Sequence, residues 1–200
     1  MPGLMDLLGA ALGGNAQQQL SQQIGANPQQ TGSAIQAALP MLLAGLHQNA
    51  QQPGGAEALL GALQRDHDGS VLSNLGGLLG GQVGGQTSNG AGILGHVLGD
   101  RQDAAQGAVA QASGLGTGQV ATLMAMLAPM VMGALGHMQR SQGLNASGLA
   151  GMLQGEHASA TQSQPDLMGL ASQLLGSGAG ASGGGLDQML KGIGGLLGKN

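Results

Sequence analysis

The chain has 200 residues, a formal net charge of −4, 42 glycines and no Phe, Tyr, Trp or Cys. This composition removes the aromatic side chains that stack on bases or sugars and the thiolates that act as nucleophiles or metal ligands. The five Lys and Arg residues are scattered, so no basic stripe is present to neutralise nucleic-acid phosphates. We therefore expect a protein that binds no nucleic acid, is not an enzyme and needs no cofactor.

Helix signals follow one another along the chain. Asn27 with Pro28 after it is typical of a helix start, and Asn145 is typical of another. Val and Ile are sparse and do not alternate with polar residues, so the sequence predicts an all-α, multihelical fold. The apolar spacing predicts helices over 4–12, 16–24, 28–49, 54–65, 70–79, 91–98, 100–113, 118–141, 146–154, 166–175 and 186–197.

The sequence also contains an internal repeat. Residues 20–67 resemble residues 109–157, and the alignment pairs Pro40 with Pro129. Each proline lies inside a predicted apolar helix, where it removes a backbone hydrogen bond and bends the helix. A Gly-rich stretch over 80–92 separates the two copies. We therefore predict a duplicated helical unit that folds onto its own copy.

This repeat and the composition of the remaining chain predict three parts. The first is one helical domain, the second is a Gly/Ser/Gln-rich linker with a short helix in it, and the third is a short amphipathic helix. Their predicted ranges are 1–157 for the domain, with copies at about 4–79 and 91–157, then 158–185 for the linker, with its helix at 166–175, and 186–200 for the C-terminal helix.

Several motifs in the chain resemble the YidB-like family of bacterial proteins, a domain family without assigned function. These motifs are GANPQQTGSAIQAALPMLLAGL at 25–46, DHDGS at 66–70 and GAGILGHVLGDRQ at 90–102, and the likeness continues through the helix that contains Pro129. The resemblance covers most of residues 1–157. It implies a compact all-α fold and a bacterial source, and it implies no reaction.

Few residues could hold a metal ion. The repeat places Asp66 and His67 at positions equivalent to Glu156 and His157, and two His with two carboxylates can bind zinc if the copies approach each other. Each pair is also typical of a helix C-terminus, where a cationic His interacts favourably with the helix dipole. We predict no metal site, and these four residues are the candidate ligands if one exists.

Methionines cluster on the apolar segment 120–135 and just beyond it. Met side chains are flexible and polarizable, and surfaces rich in them adapt to several partners. In a chain without aromatic residues, the same side chains also serve to fill a core. The candidates for contact with a protein partner are Met124, Met130, Met132 and Met138.

Together these features predict a non-catalytic protein that acts through an unidentified protein partner or through self-association. We expect it in the cytoplasm, because residues 1–6 lack the basic start of a signal peptide and segment 120–135 is shorter than the roughly 20 residues of a membrane span. One alternative is a membrane-surface or envelope-associated protein that uses its Gly-rich helices. Another is a metal-binding protein.

Overall fold

A computed structural model describes residues 3–66 and 83–163. Within these two ranges all of the regular secondary structure is helical, so the predicted all-α class is confirmed. The helices are α1 Leu4–Leu12, α2 Asn15–Ile24, α3 Pro28–Gln51, α4 Gly55–Asp66, α5 Val83–Leu98, α6 Gln102–Ser113, α7 Thr117–Gln142 and α8 Ala146–Ser163, with a 3-10 turn at Gly99–Arg101 before α6.

Most of the predicted helix boundaries lie within two residues of the observed ones. Two boundaries are wrong, and in both cases the predicted helix is too short. Helix α5 begins at Val83, so the Gly-rich stretch 80–92 is helical from that residue onward. Helix α8 continues to Ser163, into the predicted linker 158–185. Propensity is a weak guide where a helix packs on a neighbour, and α5 packs along α7 while α8 packs on α3 and α4. The helices predicted at 70–79, 166–175 and 186–197 lie outside the described residues.

Local capping sets where the helices start and stop. Gly25, with φ +64°, ends α2 in the left-handed region that favours glycine. The Oδ1 atom of Asn27 then accepts a hydrogen bond from the backbone N–H of Gln30 at 2.8 Å, and Pro28 occupies the first helical position. Asn145 caps α8 in the same way. Both predicted N-caps are confirmed.

Two long helices, α3 and α7, form the centre of the core, and each carries its buried proline, Pro40 or Pro129, in its interior. Helix α5 lies so close to α3 and to α7 that glycine is required at the contacts. A Cβ atom added at Gly90 of α5 would overlap the carbonyl oxygen of Ala125 in α7. A Cβ atom added at Gly45 of α3 would lie 2.8 Å from Cγ1 of Val97. Close backbone approach thus takes the place of large aromatic side chains.

Reciprocal hydrogen bonds connect the first half of the structure to the second. Nε2 of Gln30 donates to the carbonyl oxygen of Gly114 at 3.1 Å. Nε2 of Gln119 donates to the carbonyl oxygens of Ile24 at 2.9 Å and of Gly25 at 3.2 Å. The two glutamines are the third residues of α3 and α7, and the two glycines end α2 and α6. The start of each long helix therefore binds the turn that precedes the other.

Candidate functional site

The four methionines considered for partner binding lie in the core. Met124 and Met130 are 0% exposed, Met132 is 4% exposed and Met138 is 5% exposed. Side chains this deeply buried do not form an exposed binding surface, so the interpretation as a partner-binding surface is corrected for Met124, Met130 and Met138. The same residues fill the core, which was the alternative interpretation. Met132 also forms part of the groove floor described below.

The candidate metal ligands that the structure describes do not come together, because they contact different parts of the protein. Glu156 of α8 contacts the start of α1, whereas the ring of His157 stacks on His47 of α3. Asp66 is the last residue of α4, and His67 lies outside the described residues. Over residues 3–66 and 83–163, no three His, Cys, Asp or Glu side chains are close enough to hold a metal ion together.

Glu156 has a structural function at the N-terminus of α1. Its Oε1 accepts a hydrogen bond from the backbone N–H of Leu4 at 3.0 Å, and its Oε2 accepts one from Met5 at 3.4 Å. Asp6 accepts a further one from the N–H of Gly3 at 3.1 Å. Negative charge is favourable here because the first N–H groups of a helix have no partner within the helix. The carboxylate of Glu156 therefore ties α8 to α1.

His47 and His157 form a stacked pair between α3 and α8. Their ring centroids are 4.9 Å apart and their planes differ by 24°. Nε2 of His47 lies 3.0 Å from the side-chain nitrogen of Gln51, while its Nδ1 is buried and has no hydrogen-bond partner among the described residues. Burial and, to a smaller extent, the neighbouring His157 lower the pKa of His47 below its ordinary value of 6.5. The environment of the stacked pair therefore favours the neutral form of His47.

An apolar groove of about 490 Å³ opens between α4 and α5. Its floor consists of buried side chains from α3 and α7, and its walls consist of partly exposed side chains from α4 and α5. The apolar residues that line it are Leu46, Ala58, Leu59, Ala62, Ile93, Val97 and Met132. Exposed apolar surface of this kind is stabilised when another apolar surface covers it.

The rim of the groove is polar. Arg65 of α4 and His96 of α5 are exposed there. Asn49 of α3 donates a hydrogen bond to the carbonyl oxygen of His96 at 2.6 Å, which fixes the end of α5 against α3. An apolar floor with a cation at the rim suits an apolar helical segment that carries a carboxylate. A site for a small polar substrate requires several converging polar groups instead.

A second cavity, of about 460 Å³, shares Asn49, His96 and Val97 with the groove and has a more polar lining. Arg101 donates a hydrogen bond to the side-chain oxygen of Gln48 across this cavity. Its guanidinium therefore holds the turn after α5 onto α3. The polar side chains that line this cavity hold helix ends together. Among its described lining residues, no nucleophile is paired with a base.

The groove is not predicted from the sequence, because its residues look like ordinary apolar positions of short helices. One signal is visible in α5. Leu94 and Leu98 are buried, whereas Ile93 and Val97, each one residue earlier, are only partly buried and line the groove. The apolar face of α5 is thus wider than its described neighbours cover, and an excess of this kind in a sequence is a usable signal.

Helix α7 is, among the described residues, the one helix long and apolar enough to cross a membrane. Of its apolar 18-residue window, 83% is buried inside the protein. The core helix of a soluble protein has these same properties. Helix α5 packs along α7, with Gly90 against the backbone of Ala125.

These observations define the class of protein. It is all-helical in its described parts and has an apolar groove on its surface. The carboxylate of Glu156 serves to pack one helix on another. The chain belongs to the DUF937 family, whose description is "Bacterial protein of unknown function"; the family model matches residues 6–138. YidB is a member of this family, so the YidB-like resemblance is confirmed. No curated protein and no solved structure matches the chain.

Proposed function

We propose that this protein is non-catalytic and acts by binding a segment of another protein in the groove between α4 and α5. The observation that carries the proposal is the set of partly exposed apolar side chains Leu59, Ile93 and Val97 above a buried apolar floor. An amphipathic helix that lays its apolar face into such a groove gains roughly 25 cal/mol for each Å² of apolar surface removed from water.

Site-specific photocross-linking in cells tests the proposal. A photoreactive side chain replaces Ala58, which is exposed on the groove wall, or Ala104, which is exposed on α6 and is not part of the groove. We expect a discrete adduct with another protein from position 58 and none from position 104. The adduct should disappear when Ile93→Asp places a charge in the groove.

Two results would contradict a binding function for the groove. One is equal adduct formation from positions 58 and 104, and the other is an adduct that survives Ile93→Asp. Circular dichroism of each variant serves as the control for folding. Ala104→Asp is the matched control for the introduced charge, because position 104 is exposed.

We further propose that the protein resides in the cytoplasm and binds neither nucleic acid nor a cofactor. The burial of α7 supports this over a membrane span, because a span would have to expose that helix to lipid. The alternative is a protein bound to the membrane surface through its Gly-rich helices. Flotation with liposomes separates the two, and recovery of the protein with the vesicles would replace the cytoplasmic proposal. A metal-binding function has no supporting contact among the described residues.

We also propose that α2–α4 and α6–α8 are two copies of one helical unit. Each unit has a helix that ends at a left-handed glycine, then a long helix with an interior proline, then a further helix. The sequence separation of Pro40 from Pro129 equals that of Gln30 from Gln119. The reciprocal hydrogen bonds of these glutamines are what a twofold relation between two equivalent units would produce.

A further inference from the structure

We infer that the groove is occupied, when no partner is bound, by the C-terminal segment of the same chain, residues 186–200. This inference rests on the proposed function, since it takes the groove as the binding surface of the protein. The segment would then compete with the partner for one site. Its apolar pattern, the position of its one acidic side chain and its distance along the chain from α8 each support this occupant.

The C-terminal segment has the pattern that an apolar groove recognises. Its sequence is LDQMLKGIGGLLGKN, and apolar residues recur at three- and four-residue spacing. The side chains that form this face are Leu186, Met189, Leu190, Ile193 and Leu197. They are aliphatic, as is the lining of the groove, and spacing of this kind is the signature of a helix bound in a groove.

Charge also matches at one end. The segment carries Asp187 next to its first apolar residue, and the groove carries the exposed Arg65 on its rim. The two lysines of the segment, Lys191 and Lys199, lie farther along it. Arg65 is near the C-terminal end of α4. A segment that begins at this end would run antiparallel to α4 and place its apolar residues along the groove walls.

The chain between α8 and the segment is long enough. Helix α8 ends at Ser163 and packs against α4, which forms one wall of the groove. The intervening residues 164–185 include the Gly/Ser-rich run GSGAGASGGG. With the predicted helix 166–175 at 1.5 Å per residue and the other residues extended, this stretch spans up to roughly 55 Å. That length exceeds the radius of gyration of about 15 Å for a domain of this size.

The absence of aromatic residues provides a direct test in the full-length protein. With Met189→Trp, one tryptophan is present and its emission reports the surroundings of the segment alone. We expect emission at shorter wavelength, and less quenching by acrylamide, than in the free peptide 186–200 with the same substitution. Adding Ile93→Asp in the groove should return both readings to those of the peptide, whereas Ala104→Asp should leave them unchanged.

A charge reversal tests the orientation. Arg65→Asp should lower the ratio of docked to free segment by about two- to fivefold, the range expected for an exposed ion pair. Combining it with Asp187→Arg should restore the ratio. Two results would overturn the inference. One is tryptophan emission that does not change on Ile93→Asp. The other is emission from the full-length Met189→Trp protein, with its groove unmodified, that equals the emission of the free peptide. A blue shift that grows with protein concentration would overturn it too, because the occupant would then be the segment of a second copy.

The two proposals fail in different ways. If position 58 forms an adduct with another protein while the tryptophan reads as free, the inferred segment is wrong and the binding function stands. If the tryptophan reads as docked and Ile193→Asp, which releases the segment, produces no adduct with another protein, the segment is right and the binding function is wrong. Docking in the resting protein together with a stronger adduct after Ile193→Asp supports both.

Discussion

Gly90 shows how a chain without aromatic side chains brings its helices together. A Cβ atom at this position would overlap the carbonyl oxygen of Ala125, because the backbones of α5 and α7 are in contact there. At Gly95, on the same helix, an added Cβ atom would meet no atom within 4 Å. A side chain would therefore clash at Gly90 and would be accommodated at Gly95.

We expect Gly90→Ala to destabilise the protein by about 1–3 kcal/mol, because the extra methyl group forces two helix backbones apart. Gly95→Ala should stabilise it by about 0.5–1 kcal/mol, because alanine loses less conformational entropy in a helix. Chemical unfolding followed by circular dichroism measures both. Equal stability of the two variants would contradict the backbone contact.

A second residue-scale prediction concerns His47, whose pKa is lowered by burial and by His157. As the pH falls through about 6.5, the unfolded chain takes up a proton at this position more readily than the folded protein does, so the free energy of unfolding decreases. Above that pH the contribution is fully present. We expect His47→Gln to reduce the loss of stability between about pH 7.5 and pH 5.

Thermal unfolding at the two pH values measures this effect. The matched control is His137→Gln, because His137 is exposed on α7. The control should lose as much stability on acidification as the unmodified protein. If His47→Gln and His137→Gln respond alike to pH, the stacked pair with His157 does not govern the acid sensitivity.

At the scale of elements, α1 depends on a contact from the far end of the domain. Its residues Leu4, Leu8 and Leu12 are at most 4% exposed, and its first N–H groups bind the carboxylate of Glu156. A helix as short as α1 is only marginally stable in water by itself. Packing of its apolar face and the carboxylate at its N-terminus together hold it in place.

Replacing Glu156 with Ala should cost about 1–3 kcal/mol, because the N–H groups of Leu4 and Met5 lose their acceptor. Glu156→Gln should cost less, since the amide retains one oxygen. Hydrogen exchange localises the effect, and we expect faster exchange in α1. Gln154→Ala, at an exposed position of the same helix, is the control. Unchanged exchange in α1 after Glu156→Ala would show that the carboxylate does not anchor it.

At the scale of the whole molecule, the two glutamines at the starts of α3 and α7 join the two halves. Gln30 and Gln119 are both partly buried, and each binds the turn before the other's helix. If the halves are equivalent units, their contributions to stability should be similar. Both bonds join the same two turns, the one between α2 and α3 and the one between α6 and α7.

We expect Gln30→Ala and Gln119→Ala each to destabilise by about 0.5–1.5 kcal/mol. The double variant should differ from the sum by about 0.5 kcal/mol or more, because both bonds are made at one junction. Urea unfolding of the four proteins in this cycle measures the coupling, with Gln19→Ala at an exposed position as the control. A large cost at one glutamine and none at the other would contradict two equivalent units.

Prediction from sequence succeeded where the deciding contacts are local. The caps at Asn27 and Asn145, and the ends of α1 to α4, follow from residues within one or two turns of each boundary. It failed at the start of α5 and at the end of α8. There the Gly and Ser content argues against a helix, and packing on a distant helix outweighs it.

The amino-acid sequence by itself determined the all-α class, the family and the lack of aromatic and thiol side chains, because these follow from composition and from periodicity along the chain. Only the tertiary structure decided what individual side chains do. Met130 is core rather than surface, Glu156 anchors α1, and His157 stacks on His47. The physical reason is that spacing along a helix shows which residues share a face, whereas the neighbour that covers the face comes from a distant part of the chain. The groove between α4 and α5 is such a face, left partly uncovered by the described helices.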